Sequence, residues 1–275
     1  MKKPYVIAEI GINHNGSISL AKTLIDQSYQ SKCHAVKFQK RDIESVYSED
    51  ELNKYRESPW GTTTRQQKEG LEFSIEQYKE LYAYTKNLGM DFIVSCWDRK
   101  SFELIENNLD VDYHKVASAL VTDKDFLNDL LQSGKPTILS TGMSTEEQIE
   151  DAVNILQPNL EYILACTSTY PTSIDELNLK YIQTLKEKYP QYKIGFSNHY
   201  SGFEAIFGSV ALGCECVEFH ITNNRTAYGS DQSASIQNSQ GLVDGIFKMS
   251  RMIGDGIKKV YDSEIPIANK LRKVK

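Results

Sequence analysis

Two histidines and an aspartate fall where metal-assisted chemistry could use them. His199 closes the apolar run KIGFSNH, His220 lies in CVEFHIT, and Asp231 sits in the polar loop AYGSDQSAS that follows. Each run has the length and β-branched content of a short buried strand, and FEAIFGSVALG between them reads as a helix. A strand–helix–strand unit sets two parallel strands side by side, so both imidazoles could converge on one ion with Asp231 reaching in. The same spacing also suits a pair of hydrogen-bonded histidines, because two separated histidines are less specific than an HExxH helix. A second group is made of charges inside apolar strands. Lys37 and Gln39 alternate with Val36 and Phe38 and share one face, Lys115 interrupts DYHKVAS, and Glu9 lies between Ala8 and Ile10. A charge buried in a sheet is costly unless it is paired or bound to ligand, so these residues form either an internal ion pair or a binding site. Hydroxyls recur at the remaining strand ends: Ser95, Ser118, Ser140, Thr141, Thr167, Ser168 and Ser197. Singly, each is a helix cap. As a ring beside two lysines they suit a small anion carrying phosphate and carboxylate.

Positioning such a ring requires many parallel strands that end at one place. Short apolar runs alternate with amphipathic segments: YVIAEIG, HAVKFQ, DFIVSCW, DYHKVAS, KPTILSTG, YILACTST, KIGFSNH and CVEFHIT, with a last helix near LVDGIFKMSRMIG. Strands alternating with helices imply right-handed crossovers, and this number of them predicts an α/β fold with a closed (β/α)₈ TIM barrel as a single domain over residues 1–275. A doubly wound open sheet is the alternative. The turn after the first strand, Gly11 to Gly16, lacks the GxGxxG order of a dinucleotide site. Lys40 to Phe73 reads as one long irregular loop, with Pro59 and Gly61 breaking any helix around Trp60, and a loop after a strand lies over the barrel mouth. SEIPIANKLRKVK reads as a short solvated tail.

Composition narrows the class. A formal net charge of −6 offers no general attraction for nucleic acid or an anionic membrane. The five cysteines form no CxxC pair and read as reduced thiols of a cytoplasmic protein. No apolar run approaches the ~20 residues of a membrane span, and a first strand near Tyr5 leaves no room for a signal peptide.

EIGINHNGS, VKFQ, KVAS, ILSTGMS, CTSTYP, SNH, EFHIT and GSDQSAS, in this order, resemble the N-acetylneuraminate (sialic acid) synthase family, over nearly the whole chain. The resemblance implies a (β/α)₈ barrel, phosphoenolpyruvate (PEP) as donor, an N-acetylmannosamine-type acceptor, a divalent ion (Mn²⁺ or Mg²⁺) and a homodimer. It implies His199 and His220 as metal ligands, and Lys37, Ser95, Lys115, Ser118, Ser140, Ser168 and Ser197 around PEP. Tyr170 and Asp231 would face the acceptor, with Gln39 in the substrate pocket and Glu9 by the reacting centre. The expected catalytic set is Glu9, Lys37, Lys115 and His220. Two departures stand out. Where many members carry an acid shortly after the serine of the KVAS-like motif, this chain has Ala119 and Leu120, an apolar pocket wall. The chain is also expected to be the barrel alone, without the small antifreeze-like domain that many members append.

The implied reaction joins C3 of PEP to the aldehyde carbon of an open-chain amino sugar and releases phosphate, giving a nonulosonic acid. Two other readings stand beside it: the same condensation on an acceptor leading to legionaminic, pseudaminic or deaminated sugar acids, and a barrel that binds PEP or a sugar phosphate without turnover.

Overall fold

The computed structural model of the chain describes residues 3–237 and 239–274. Its first half runs β1 (Tyr5–Gly11), α1 (Ile18–Gln30), β2 (Ala35–Lys40), α2 (Ile43–Val46), α3 (Glu49–Leu52), β3 (Tyr55–Ser58), β4 (Gly61–Thr63), α4 (Thr64–Leu71), α5 (Ile75–Asn87), β5 (Asp91–Cys96) and α6 (Arg99–Glu106). The second half runs β6 (Tyr113–Val116), α7 (Lys124–Gln132), β7 (Thr137–Ser140), α8 (Glu146–Leu156), β8 (Leu160–Cys166), α9 (Tyr181–Lys188), β9 (Lys193–Asn198), α10 (Glu204–Ala211), β10 (Cys216–His220), α11 (Ser239–Met252) and α12 (Ile265–Leu271). All strands but β3 and β4 close into one parallel barrel in the order β1-β10-β9-β8-β7-β6-β5-β2. The pairing of β1 with β10, from Tyr5 against Cys216 to Glu9 against His220, removes the free edges that a doubly wound sheet would leave.

Period two sorts each strand into two faces. Val6, Ala8, Ile10, Val36, Phe38, Phe92 and Val94 pack under the helices, with Leu24 and Ile25 of α1 and Leu81 of α5 set against that shell. The intervening residues fill the barrel. Tyr5, Tyr113 and Tyr162 lie toward its N-terminal end, and Ile7, Ala35, Ile93, Ile138, Leu164 and Cys216 pack with them. One step further along the same rows the side chains turn polar: Glu9, Lys37, Ser95, Lys115, Ser140, Ser197 and Glu218, all buried. The apolar plug holds the barrel rigid, so the polar layer above it has a fixed floor. Caps start the helices cleanly: the Ser17 hydroxyl accepts from the Leu20 N–H at α1, and Ser74–Gln77 and Thr145–Gln148 form capping boxes at α5 and α8.

The segment expected as one irregular loop is folded instead. It holds α2, α3, the antiparallel β3–β4 hairpin and α4. Its polar residues, which argued for a loop, are caps: Asp42 accepts from Ser45 N–H, Ser48 from Glu51 N–H, and Thr63 with Gln66 closes a capping box. Trp60 is seated where Gly70 leaves room, since a Cβ there would meet the indole, and it lies edge-on to Tyr228 at 5.8 Å. The hairpin is thereby fastened to the loop after β10, beside the barrel mouth. Beyond α11, Ile257, Val260 and Tyr261 are exposed, and so are Ile265, Ile267 and Leu271 in the segment expected as a solvated tail, part of which forms α12. The five cysteines are unpaired, and no described helix is long and apolar enough to cross a membrane.

Candidate active site

At the C-terminal mouth a cavity of about 290 Å³ opens above the polar layer. Glu9, Lys37, Gln39, Ser95, Lys115, Ser118, Ser140, Ser168, Tyr170, Ser197, His199 and His220 all line it, so most of the residues expected at the site are brought to one place. Register explains the convergence, because Glu9 pairs across to Lys37 on one side and His220 on the other, and Gln39 faces Ser95.

Its floor is an ion cluster. Lys37 Nζ lies 2.9 Å from Glu9 Oε2 and 3.5 Å from Glu218 Oε1, while Lys115 Nζ is 4.0 Å from Glu218 Oε1. Gln39 donates to Glu9 Oε1 at 2.6 Å and accepts from Arg41. The expected internal ion pair is therefore present, and it forms the floor of the cavity. Burial works against the charge on Lys37, but Glu218 and then Glu9 outweigh it and raise its basicity. Lys115 goes the other way: burial dominates, Glu218 offsets only part, and its ammonium is easier to deprotonate. Glu218 is pushed up by burial but held below the ordinary carboxylate range by Lys115 and Lys37.

Hydrogen bonding divides the hydroxyl ring. Ser95 Oγ donates to the Lys115 carbonyl (3.1 Å) and Ser197 Oγ to Glu218 Oε1 (3.1 Å), so both are committed to the frame. Thr141 and Thr167, expected in the ring, do not line the cavity; their hydroxyls donate to the carbonyls of Leu164 (3.0 Å) and Glu176 (2.9 Å). Ser140 accepts from Lys115 Nζ at 2.6 Å and keeps its own proton for a ligand. Ser118 accepts from the Gly142 N–H at 3.1 Å, with Cys166 Sγ 3.7 Å from both its hydroxyl and that of Ser168. Ser140 beside Lys115 thus has its proton open to an anion, and Ser118, which donates to Cys166 Sγ, and Ser168 are held only by that weak sulfur acceptor and can turn to an anion. A methyl group at Gly142 would collide with the Ser168 and Ser118 hydroxyls. Gly142→Ala is expected to weaken PEP binding by about 10- to 100-fold, roughly 1.5–3 kcal/mol, with the fold retained; calorimetry with unchanged PEP affinity would place the anion elsewhere.

Above the floor, the His199 and His220 rings stand 5.3 Å apart, with Tyr170 4.1 Å from the first and 5.6 Å from the second. His199 Nδ1 lies 2.8 Å from the Thr167 carbonyl, which can only accept, so Nδ1 carries the proton and a neutral ring offers its Nε2 lone pair. His220 Nδ1 is buried without a hydrogen-bond partner. Both features fit a divalent ion held by two imidazoles. The third expected donor departs from this: Asp231 lies outside the cavity lining, its Oδ2 3.6 Å from His220 Nδ1, and no set of three or more His, Cys, Asp or Glu is gathered for a metal among the described residues. Leu120 also departs from expectation, since it is only partly buried, packs against the apolar core, and Ala119 lines the cavity instead.

Glu218 was not singled out from the sequence, nor were Trp97, Cys166 and Met143, which share the lining. Glu218 carried a readable signal, an acid inside CVEFH two residues from His220 and therefore on the same face. Trp97 and Met143 follow their strands and had none.

A closed eight-stranded parallel barrel, with paired lysines and carboxylates, free hydroxyls and two histidines at its C-terminal mouth, defines a (β/α)₈ enzyme that handles a small anion. The sequence profile of the NeuB family matches residues 24–258, and the chain belongs to that family. It is 34% identical to mouse N-acetylneuraminate-9-phosphate synthase, over 98% of this chain and 76% of that protein. It is 33% identical to Campylobacter jejuni N,N'-diacetyllegionaminic acid synthase, over 99% and 84%. The crystal structure of a Leptospira borgpetersenii sialic acid synthetase in complex with citrate superposes with a TM-score of 0.84 at 29% identity, covering 99% of this chain and 94% of that one.

Proposed function

We propose that this protein condenses PEP with the aldehyde of an open-chain amino sugar to give a sialic-acid-like nonulosonic acid and inorganic phosphate. The observation that carries the reading is the meeting, in one cavity, of an anion-binding floor and a histidine pair. PEP sits on the floor, its anionic groups against Lys115, Ser118, Ser140 and Ser168, with Lys37 held between Glu9 and Glu218 beneath its reacting carbons. His199 and His220 are the residues that would hold a divalent ion, manganese or magnesium, which when bound supplies Lewis acidity toward the acceptor's aldehyde oxygen. As C3 of PEP bonds to the aldehyde carbon, positive charge develops at C2 and water adds there. Glu218 Oε2 has no partner and serves as base for that water's proton, while Glu9, held at Oε1 by Gln39 and at Oε2 by Lys37, keeps Lys37 in place beside it. Collapse of the tetrahedral centre then breaks the carbon–oxygen bond to phosphate. Tyr170 borders the acceptor's path and Asp231 stands beside His220 at its edge.

Relatives named legionaminic and pseudaminic acid synthases keep a second acceptor class open for the same chemistry. A cytoplasmic location fits the five unpaired thiols, and a homodimer is the assembly the family resemblance implies. The direct test is phosphate release from PEP in the presence of manganese and a panel of aldoses. Release should require an aldose, and ¹⁸O placed in the bridging position of PEP should appear in the phosphate. No release with any sugar would mean a binding protein rather than a synthase.

A further inference from the structure

Arg41 immediately follows β2, and its side chain is only 10% exposed. It borders a second cavity, of about 300 Å³, that adjoins the first and shares Gln39, Trp97 and Tyr170 with it. A buried guanidinium is costly unless something answers it. The usual answer is a carboxylate, but the one within 4 Å among the described residues is already engaged. Glu72 Oε2 receives Lys40 Nζ at 2.8 Å and the Arg41 backbone N–H at 3.2 Å, and Glu72 Oε1 stands 3.9 Å from Arg41 Nη1. Trp97 lies against the guanidinium carbon, with its ring centre 4.1 Å away. Arg41 Nη2 donates to the side-chain carbonyl of Gln39.

That one bond decides how the Gln39 amide is turned. An amide carries an oxygen at one end and an NH2 at the other, and a guanidinium has donors only, so the oxygen must face Arg41. The NH2 is left facing inward, where it donates to Glu9 Oε1 at 2.6 Å. Neighbours hold the residue there: the Gln39 backbone carbonyl accepts from Tyr78 Oη at 2.6 Å, and Gly11, at φ +54°, packs so closely that a Cβ would lie 3.0 Å from Glu9 Oε1 and 3.1 Å from Gln39 Nε2. Glu9 Oε2 in turn holds Lys37 Nζ at 2.9 Å. An amide turned the other way would set its oxygen against the Glu9 carboxylate, acceptor against acceptor. The cation on the outer side also polarises the amide and strengthens its NH2 as a donor.

We propose that Arg41 is a positioning residue for the reacting centre: by fixing the Gln39 amide it holds Glu9, and through Glu9 the ammonium of Lys37. The kinetic consequence rests on the condensing reading above, in which Lys37 lies beneath the reacting carbons of PEP while Lys115 and the serines hold its anionic groups. Arg41 therefore acts on the chemical step and not on PEP binding.

The test is a double-mutant cycle. Arg41→Met keeps the stem on Trp97 and removes the donors; in the phosphate-release assay it should lower kcat by about tenfold, with KM for PEP within about twofold of wild type. Arg41→Lys, which keeps a charged donor, should restore most of kcat. Gln39→Met alone should lose at least as much, and adding Arg41→Met to it should cost less than about twofold more. A loss from Arg41→Met that is the same with and without Gln39, a loss confined to KM, or a Gln39→Met as active as wild type would overturn the assignment, the last even if Arg41→Met failed to fold. A readout without turnover separates this inference from the condensing reading. In protein carrying ¹⁵N in its glutamine side chains, the Gln39 NH2 signal, identified by its disappearance in Gln39→Met, should move in Arg41→Met and return in Arg41→Lys. An unmoved signal refutes the positioning role. If no aldose releases phosphate while the signal moves and returns, the condensing reading fails and the hold of Arg41 on Gln39 stands.

Discussion

His220→Ala is expected to lower kcat/KM for condensation by on the order of 10³-fold or more, equivalent to about 4 kcal/mol of transition-state stabilisation. The melting temperature should move by only a few degrees, because His220 Nδ1 has no hydrogen-bond partner to lose and the ring stands at the cavity wall rather than in the apolar shell. The two effects separate a ligand from a structural residue. A histidine that only filled space would cost stability in proportion to activity, whereas a metal ligand costs activity and manganese affinity together. Manganese titration by calorimetry, alongside a thermal scan of the same variant, distinguishes them. Full activity with undiminished manganese binding in the variant would remove His220 from the metal site.

Glu218→Gln should produce the largest loss of stability, about 3–5 kcal/mol in the ligand-free protein. The carboxylate stands between Lys37 and Lys115 and accepts from Ser197, and Glu9 alone would be left to balance two buried ammoniums. The protein has one escape. Lys115 is already the easier of the two lysines to deprotonate, and removing the proton from an ammonium of ordinary basicity at pH 7 costs about 5 kcal/mol, which caps the penalty. An anion placed over the cluster would supply the missing negative charge, so PEP should raise the melting temperature of the variant more than that of the wild type. Catalysis should fall as well, since Lys37 loses the partner that fixes its position. A variant as stable as wild type, with no added protection from PEP, would show that Glu218 does not hold the lysines.

Much of this was legible in the chain itself. The alternation of apolar runs and amphipathic segments specified the barrel, because a strand buried on both faces must be short and apolar and each crossover needs a helix. Period two placed Lys37 with Gln39, and a charge inside an apolar run marked Glu9 and Lys115, because such a residue survives only where something answers it. The same rule applied to Glu218, which passed unremarked beside the more conspicuous His220. Between Lys40 and Phe73 the local signals misled, since Asp42, Ser48 and Thr63 are as much helix caps as loop residues, and only the partners to which they bond decide.

The sequence by itself determined the fold class, the strand ends that carry chemistry and the kinds of group found there, all of which follow from local periodicity and the cost of burying charge. Which hydroxyls are spent on the frame and which stay free, that Leu120 packs against the core rather than lining the cavity, that Asp231 stops beside His220, and that Arg41 and Trp97 border a second cavity were decided by the tertiary structure. The physical reason is common to all four. A hydrogen bond or a packing contact depends on the position of a partner distant in sequence, to within a fraction of an ångström, and closure of the barrel is what sets that position.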